Sequence, residues 1–80
     1  MPKVTIYSTP TCPHCHHAKD FMKEHNIKFE DVNVAANQEK AKEMIALSGQ
    51  TGVPVIKIDN DIIVGFNRAK VAELLDIEDD

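Results

Sequence analysis

IYSTPTCPHC, residues 6–15, takes the chain from a predicted strand into a predicted helix. Val4 and Ile6 alternate with polar residues, so a first strand is expected over residues 3–8. The Thr-Pro-Thr segment at 9–11 ends that strand. Pro13 suits the first position of a helix, where its missing N–H costs nothing. We therefore expect Cys12 at the N-cap and Cys15 in the first helical turn.

Outward from this segment, the remaining patterns complete the order β-α-β-α-β-β-α. Further strands are expected over residues 29–34, 53–58 and 62–65, although Glu30, Asp31 and Asn33 dilute the apolar pattern of the second. The first helix should stop near Asn26, and helices two and three should begin after N-caps at Asn37 and Asn67, with Gly49 ending the second. The predicted inward-facing residues of the three helices are Cys15, Ala18, Phe21 and Met22; Ala41, Met44, Ile45 and Ser48; and Val71, Leu74 and Leu75.

This order of elements predicts an α/β fold with a mixed sheet flanked by helices. Strands one and two are joined through a helix, so they should be parallel with a right-handed crossover. Strands three and four should form an antiparallel hairpin around the polar turn at residues 59–61. At 80 residues the chain is expected to be one domain, with residues 78–80 as a frayed acidic tail.

Composition narrows the classes of partner. The formal net charge is -4, with 42% hydrophobic and 28% charged residues, which is typical of a globular domain. The excess of acidic residues argues against nucleic acid or an anionic membrane as the partner, because both need a basic face. No apolar run approaches the roughly 20 residues of a membrane span. No secretory leader is expected at the N-terminus, and a mature secreted protein whose leader has been removed stays open as an alternative. A cytoplasmic monomer is therefore expected.

The two cysteines, Cys12 and Cys15, are separated by two residues. A bridge between them closes a ring of only four residues, for which loop entropy gives roughly 2 kcal/mol before strain is subtracted. A passive structural bridge remains an alternative, but the spacing favours a bond that opens and closes.

The start of the helix should favour the thiolate of Cys12, because the N-terminal end of the helix dipole is positive. The backbone N–H of His14 or Cys15 could also donate to its sulfur. Pro13 and His14 are predicted to tune the acidity of Cys12, and a charged His14 should make the protein more oxidising by stabilising its reduced form.

Histidines crowd the cysteine pair and raise the alternative of a metal site. His16 and His17 could join two thiolates around zinc. Consecutive helical residues point around the helix axis rather than at one centre, so no bound metal is predicted. His25 is interpreted as a favourable partner of the helix C-terminus.

Three segments together carry a family likeness: residues 6–15, the Thr-Gly-Val-Pro of 51–54 and the Val-Gly-Phe of 64–66. In that order they resemble glutaredoxin-like, or NrdH-redoxin-like, members of the thioredoxin superfamily. The resemblance implies a thioredoxin fold with sheet order 2-1-3-4, Cys12 as nucleophile and Cys15 as resolving thiol. It also implies a cis Val53–Pro54 peptide facing Cys12 and a substrate groove. The residues assigned to that groove are Thr11, Val53, Pro54, Gly65 and Phe66.

Departures from glutathione-using glutaredoxins concern the electron donor. Residues 8–11 lack the basic residue found before the first cysteine in those proteins, and Gly65-Phe66-Asn67-Arg68 replaces their usual Gly-Gly pattern. Gly65-Phe66 looks more like the redoxins that thioredoxin reductase reduces and that serve ribonucleotide reductase.

The resulting hypothesis is a dithiol–disulfide oxidoreductase that reduces protein disulfides. It would hold no bound cofactor beyond a redox-active Cys12–Cys15 disulfide, and thioredoxin reductase or glutathione would recycle it. Two alternatives stay open: a metal or iron–sulfur module that uses Cys12, and a net donor of disulfides.

Overall fold

The computed structural model describes residues 3–76. The predicted frayed tail at 78–80 lies outside these residues. The elements, in chain order, are β1 (Val4–Ser8), α1 (Pro13–Glu24), β2 (Phe29–Asn33), α2 (Gln38–Ser48), β3 (Val55–Ile58), β4 (Asp61–Val64) and α3 (Arg68–Leu75). This is the predicted order of strands and helices.

The four strands form one mixed sheet in the order β2-β1-β3-β4. β1 and β2 run parallel, with Val4 opposite Phe29, because α1 carries the chain back across the sheet. β1 pairs antiparallel with β3, and β3 with β4. The α/β thioredoxin fold and its sheet order 2-1-3-4 are confirmed. All five residues of β1 are buried, so this central strand fixes the position of the loop that follows it.

Helices cover the two faces of the sheet unequally. Residues of α1 and α3 pack with Val4 and Ile6 into the larger hydrophobic cluster. On the opposite face, Tyr7 packs with Met44 of α2 in a smaller cluster, and its hydroxyl donates to Oε2 of Glu43 at 3.2 Å. The sheet thus holds the start of α1 on the face that has two helices above it.

The predicted helix caps are present. Oδ1 of Asn37 accepts from the N–H of Lys40, and Oδ1 of Asn67 accepts from the N–H of Lys70, each at 3.1 Å. Gly49 ends α2 with φ +73°, the left-handed conformation that a glycine adopts without strain. Short-range signals therefore fix where the helices start and stop.

Several strand boundaries differ from the predictions by one or two residues. β3 starts at Val55 rather than at residue 53, because Pro54 has no N–H to give to a ladder. β4 runs from Asp61 to Val64, and Gly65, with φ +80°, lies in the bend after it. β2 ends at Asn33, one residue before the predicted end.

Ile45 was wrongly predicted to face the core. It is 39% exposed, whereas Met44 beside it is 1% exposed. Because α2 alone covers its face of the sheet, only a narrow line of its residues reaches the strands.

Within residues 3–76 no helix has the length and hydropathy needed to cross a membrane.

Candidate active site

Cys12 caps the N-terminus of α1. Its backbone is extended (φ -93°, ψ 111°), Pro13 follows at the first helical position, and the N–H of Cys15 points at its sulfur at 3.3 Å. The N–H of Cys12 donates to the carbonyl of Thr9 at 3.3 Å, which closes the loop in front of the helix. The predicted cysteine cap is confirmed, and of the two predicted donors, His14 and Cys15, the structure shows Cys15. The cap holds a half-buried sulfur where the helix dipole and an N–H both favour negative charge.

Cys15 occupies the opposite kind of environment. It is fully buried, and both cysteines are free thiols in this structure. The pKa of Cys15 is raised from its ordinary 9.0 to about 11, chiefly by burial and next by its hydrogen bond with Cys12. The backbone of Thr9 and the charge of Lys19 act in the lowering direction. The pair is therefore unequal: one sulfur is accessible and the other is withdrawn behind it.

A distant segment brings backbone groups to Cys12. The Val53–Pro54 peptide is cis, and the thiol of Cys12 points at the carbonyl oxygen of Val53 at 3.9 Å. Pro54 is buried, and its carbonyl accepts from the N–H of Gly65 at 2.8 Å. Four predicted site residues, Cys12, Val53, Pro54 and Gly65, are therefore joined through one chain of contacts.

Phe66 has a mixed position. Its ring is half-buried and lies 5.8 Å from the ring of Phe21 in α1. The guanidinium of Arg68 lies over the same Phe21 ring, 5.4 Å from its centroid. Phe66 thus contributes to core packing and leaves part of its ring exposed, and its docking role stays a prediction.

The remaining predicted residues are exposed. Thr11 lies in the loop before Cys12, and His14 lies on the outer side of the first turn, with its ring centroid 6.2 Å from that of His17. A ring nitrogen of His16 lies 3.1 Å from the carbonyl of Pro10. In the described part of the chain, no three or more His, Cys, Asp or Glu side chains are grouped to hold a metal ion.

Three polar side chains that were not singled out from the sequence join α1 to the sheet. Nζ of Lys19 lies 2.9 Å from Oδ2 of Asp31, and the hydroxyl of Ser8 donates to Oδ1 of Asp31 at 2.9 Å. Burial opposes the ionisation of Asp31, but Lys19 and the Ser8 hydroxyl outweigh it and lower the pKa of Asp31. The available signals were Lys19, one helical turn after Cys15, and the acidic residue inside the pattern of β2.

The raised pKa of Cys15 predicts a loss of stability in alkali. An unfolded thiol gives up its proton before Cys15 does in the folded chain, so stability is full below about pH 9 and falls as the pH rises toward 11. Tyr7, whose pKa burial and Glu43 raise to about 12, adds a loss of the same sign at higher pH. Denaturant unfolding of the reduced protein at several pH values should show a steeper decline than that of Cys15→Ala, which keeps Tyr7. Parallel declines in the two proteins would contradict the assignment.

Comparison with known proteins shows the family to which this chain is similar. The glutaredoxin family model matches residues 4–63. A glutaredoxin-like 8.6 kDa protein of the Clostridium pasteurianum rubredoxin operon is 53% identical over 73 residues, which cover 91% of this chain and 97% of that protein. Glutaredoxin 3 of Escherichia coli K12 is 42% identical over 65 residues, covering 81% and 78%. The solved NrdH-redoxin of Escherichia coli superimposes with a TM-score of 0.82 at 29% identity, covering 90% of this chain and 93% of that one.

Proposed function

Because the chain belongs to the glutaredoxin family, and is thus a thiol–disulfide oxidoreductase, we propose that it reduces protein disulfides with Cys12 and Cys15 as its redox pair. One observation carries the proposal: an accessible sulfur at a helix N-terminus stands in front of a fully buried one. The accessible sulfur suits attack on a large substrate, and the buried one suits an internal second step.

In the first step, the thiolate of Cys12 attacks one sulfur of the substrate disulfide. The substrate S–S bond breaks, a mixed disulfide forms on Cys12, and the departing substrate thiolate takes a proton from solvent. The N–H of Cys15, 3.3 Å from the sulfur of Cys12, stabilises the attacking charge before the step. It also makes Cys12 a better leaving group afterwards.

In the second step, Cys15 gives up its proton and attacks the sulfur of Cys12. The bond between Cys12 and the substrate breaks, the Cys12–Cys15 disulfide forms, and the second substrate thiolate leaves. The substrate has then gained two electrons and two protons, and the redoxin has lost them. Because Cys15 is buried, external thiols reach its sulfur poorly. Its expected partner is therefore Cys12.

The substrate would lie against Val53, as an extended segment that pairs with the backbone there. Thr11, Gly65 and the exposed part of the Phe66 ring would border it. The contact between the Cys12 thiol and the carbonyl of Val53 supports this arrangement, because a chain held at Val53 would bring its sulfur close to Cys12.

The proposal extends to recycling by thioredoxin reductase and to a role in the cytoplasm, with ribonucleotide reductase as a client. The structural relative from Escherichia coli is described as having a thioredoxin-like activity profile. Residues 8–11 carry no basic side chain that could bind a glutathione carboxylate. A reducing compartment would also keep both thiols available for another cycle.

The experiment offers the oxidised protein NADPH with either thioredoxin reductase or glutathione plus glutathione reductase, with insulin as disulfide substrate. NADPH oxidation that depends on thioredoxin reductase, and that Cys12→Ser abolishes, is expected. Turnover with glutathione alone would contradict the recycling partner. No turnover with either system, or visible absorbance from bound iron in anaerobically purified protein, would contradict the reductase function.

A further inference from the structure

In the second step of disulfide reduction Cys15 must lose its proton, and no residue has so far been assigned to assist that loss. Cys15 is fully buried, so its thiol must lose a proton in a place that disfavours negative charge. The hydrogen bond with Cys12 adds to that difficulty while both thiols are reduced. A positive group close to Cys15 would ease the formation of its thiolate.

Lys19 meets this requirement by position. It lies four residues after Cys15 in α1, so both side chains project from the same face of the helix. Only 15% of the Lys19 side chain is exposed, whereas the Asp31 side chain that pairs with it is 48% exposed. The charge of Lys19 acts to lower the pKa of Cys15.

Asp31 and Ser8 hold the ammonium group of Lys19 in position. One oxygen of Asp31 accepts from Lys19 at 2.9 Å, and the other accepts at 2.9 Å from the hydroxyl of Ser8, which is 1% exposed. Ser8 ends the central strand β1, directly before the loop that carries Cys12. The anchor for Lys19 is therefore built into the sheet, on the side that α1 covers.

We propose that Lys19, held by Asp31 and Ser8, is the positioning residue that lets Cys15 become a thiolate and close the mixed disulfide. This inference rests on the proposed function and deepens it by assigning electrostatic control of the second step. Asp31 has two effects in this arrangement. It keeps Lys19 in place, and its own negative charge offsets part of the effect of Lys19 on Cys15.

The two steps can be timed separately with Ellman's reagent. The thiolate of Cys12 displaces the first thionitrobenzoate and forms a mixed disulfide. Attack of Cys15 on the sulfur of Cys12 displaces the second, with the proton of Cys15 passing to the buffer. Each displaced thionitrobenzoate absorbs in visible light, so a stopped-flow trace of the reduced protein at pH 7 should show two phases.

For Lys19→Met, which keeps the length of the side chain but removes its charge, we expect an unchanged first phase. Losing a nearby opposite charge reduces the thiolate fraction about tenfold, and the higher nucleophilicity of the more basic sulfur recovers about threefold. The second phase should therefore be about threefold slower. Lys19→Arg should restore it, and Lys23→Met, one turn further along α1, is the matched control and should leave both phases unchanged.

Asp31→Asn tests the effect of the negative charge beside Lys19 on the second phase. Asparagine still offers an oxygen to Lys19 but removes the negative charge, so the second phase should be as fast as in the wild type, or up to about threefold faster. A purely structural role for the pair predicts instead that Lys19→Met and Asp31→Asn slow the reaction alike and lower the thermal midpoint alike. That result, or equal slowing of both phases in Lys19→Met, would overturn the inference. Release of only one thionitrobenzoate per wild-type molecule would contradict the proposed function itself.

Discussion

Replacing Cys12 with serine should abolish disulfide reduction, whereas Cys15→Ser should stop the reaction halfway, with the substrate bonded to Cys12. Cys12 is the accessible sulfur at the N-terminus of α1, and a serine hydroxyl is not ionised there at neutral pH. The loss of turnover should be at least about a thousandfold, the scale on which removal of a catalytic nucleophile acts. Cys15→Ser keeps the first step, because the N–H of residue 15 still points at the sulfur of Cys12.

Mass spectrometry after mixing with a disulfide-containing peptide distinguishes the two variants. Cys15→Ser should carry one peptide on Cys12, and dithiothreitol should release it. Cys12→Ser should carry none. An adduct on Cys15 in the Cys12→Ser variant, together with no adduct on Cys12 in the Cys15→Ser variant, would reverse the roles assigned to the two sulfurs.

The largest loss of stability is expected for Ile56→Ala. Ile56 is fully buried in β3, opposite Ile6 on one side and Ile63 on the other, and it belongs to the larger hydrophobic cluster. Truncating a buried isoleucine costs about 2–5 kcal/mol, and a domain of this size loses roughly 4–8 °C of Tm for each kcal/mol. The midpoint of thermal unfolding should therefore fall by at least roughly 8 °C.

Val64→Ala is the matched control, since Val64 lies in the neighbouring strand β4 and is 44% exposed. It should cost less than about 1 kcal/mol. Well below its midpoint, folded Ile56→Ala should keep both phases with Ellman's reagent, because Ile56 lies in the core and contributes no group to the cysteine pair. Comparable losses in Ile56→Ala and Val64→Ala would mean that the cluster is not the main source of stability.

Local chemistry explains how far the sequence predicts this fold. The N-caps at Cys12, Asn37 and Asn67 and the left-handed Gly49 depend on side chains within a few residues, so they can be read directly. Strand ends were predicted less accurately: β3 was expected to start at residue 53, but Pro54 has no N–H for the ladder, so Val55 opens the strand. Ile45 was misplaced because helical spacing gives its side of α2 but not how much of the sheet one helix covers.

The candidate site shows the same division. Cys12, Pro13 and Cys15 share one short segment, so their geometry follows from the helix start alone. The approach of Val53 and Pro54 to Cys12 came only from the family resemblance, since no local rule links segments 41 residues apart.

The contact of Lys19 with Asp31 was missed because it requires the crossover between β1 and β2 and their register. From the sequence alone, Asp31 was interpreted only as a polar residue that dilutes the apolar pattern of β2. In the folded chain it lies opposite Ile6 and holds a lysine of α1. A polar residue inside a strand pattern can therefore mark a tertiary partner.

The central claim, that one sulfur is exposed for attack and the other is kept behind it, is tested most directly by alkylation of the native reduced protein. Brief treatment with iodoacetamide at pH 7, followed by peptide mass spectrometry, should give a single adduct on Cys12. Cys15 should stay unmodified until denaturant is added. Equal labelling of both cysteines in the folded protein, or labelling of Cys15 first, would contradict the account.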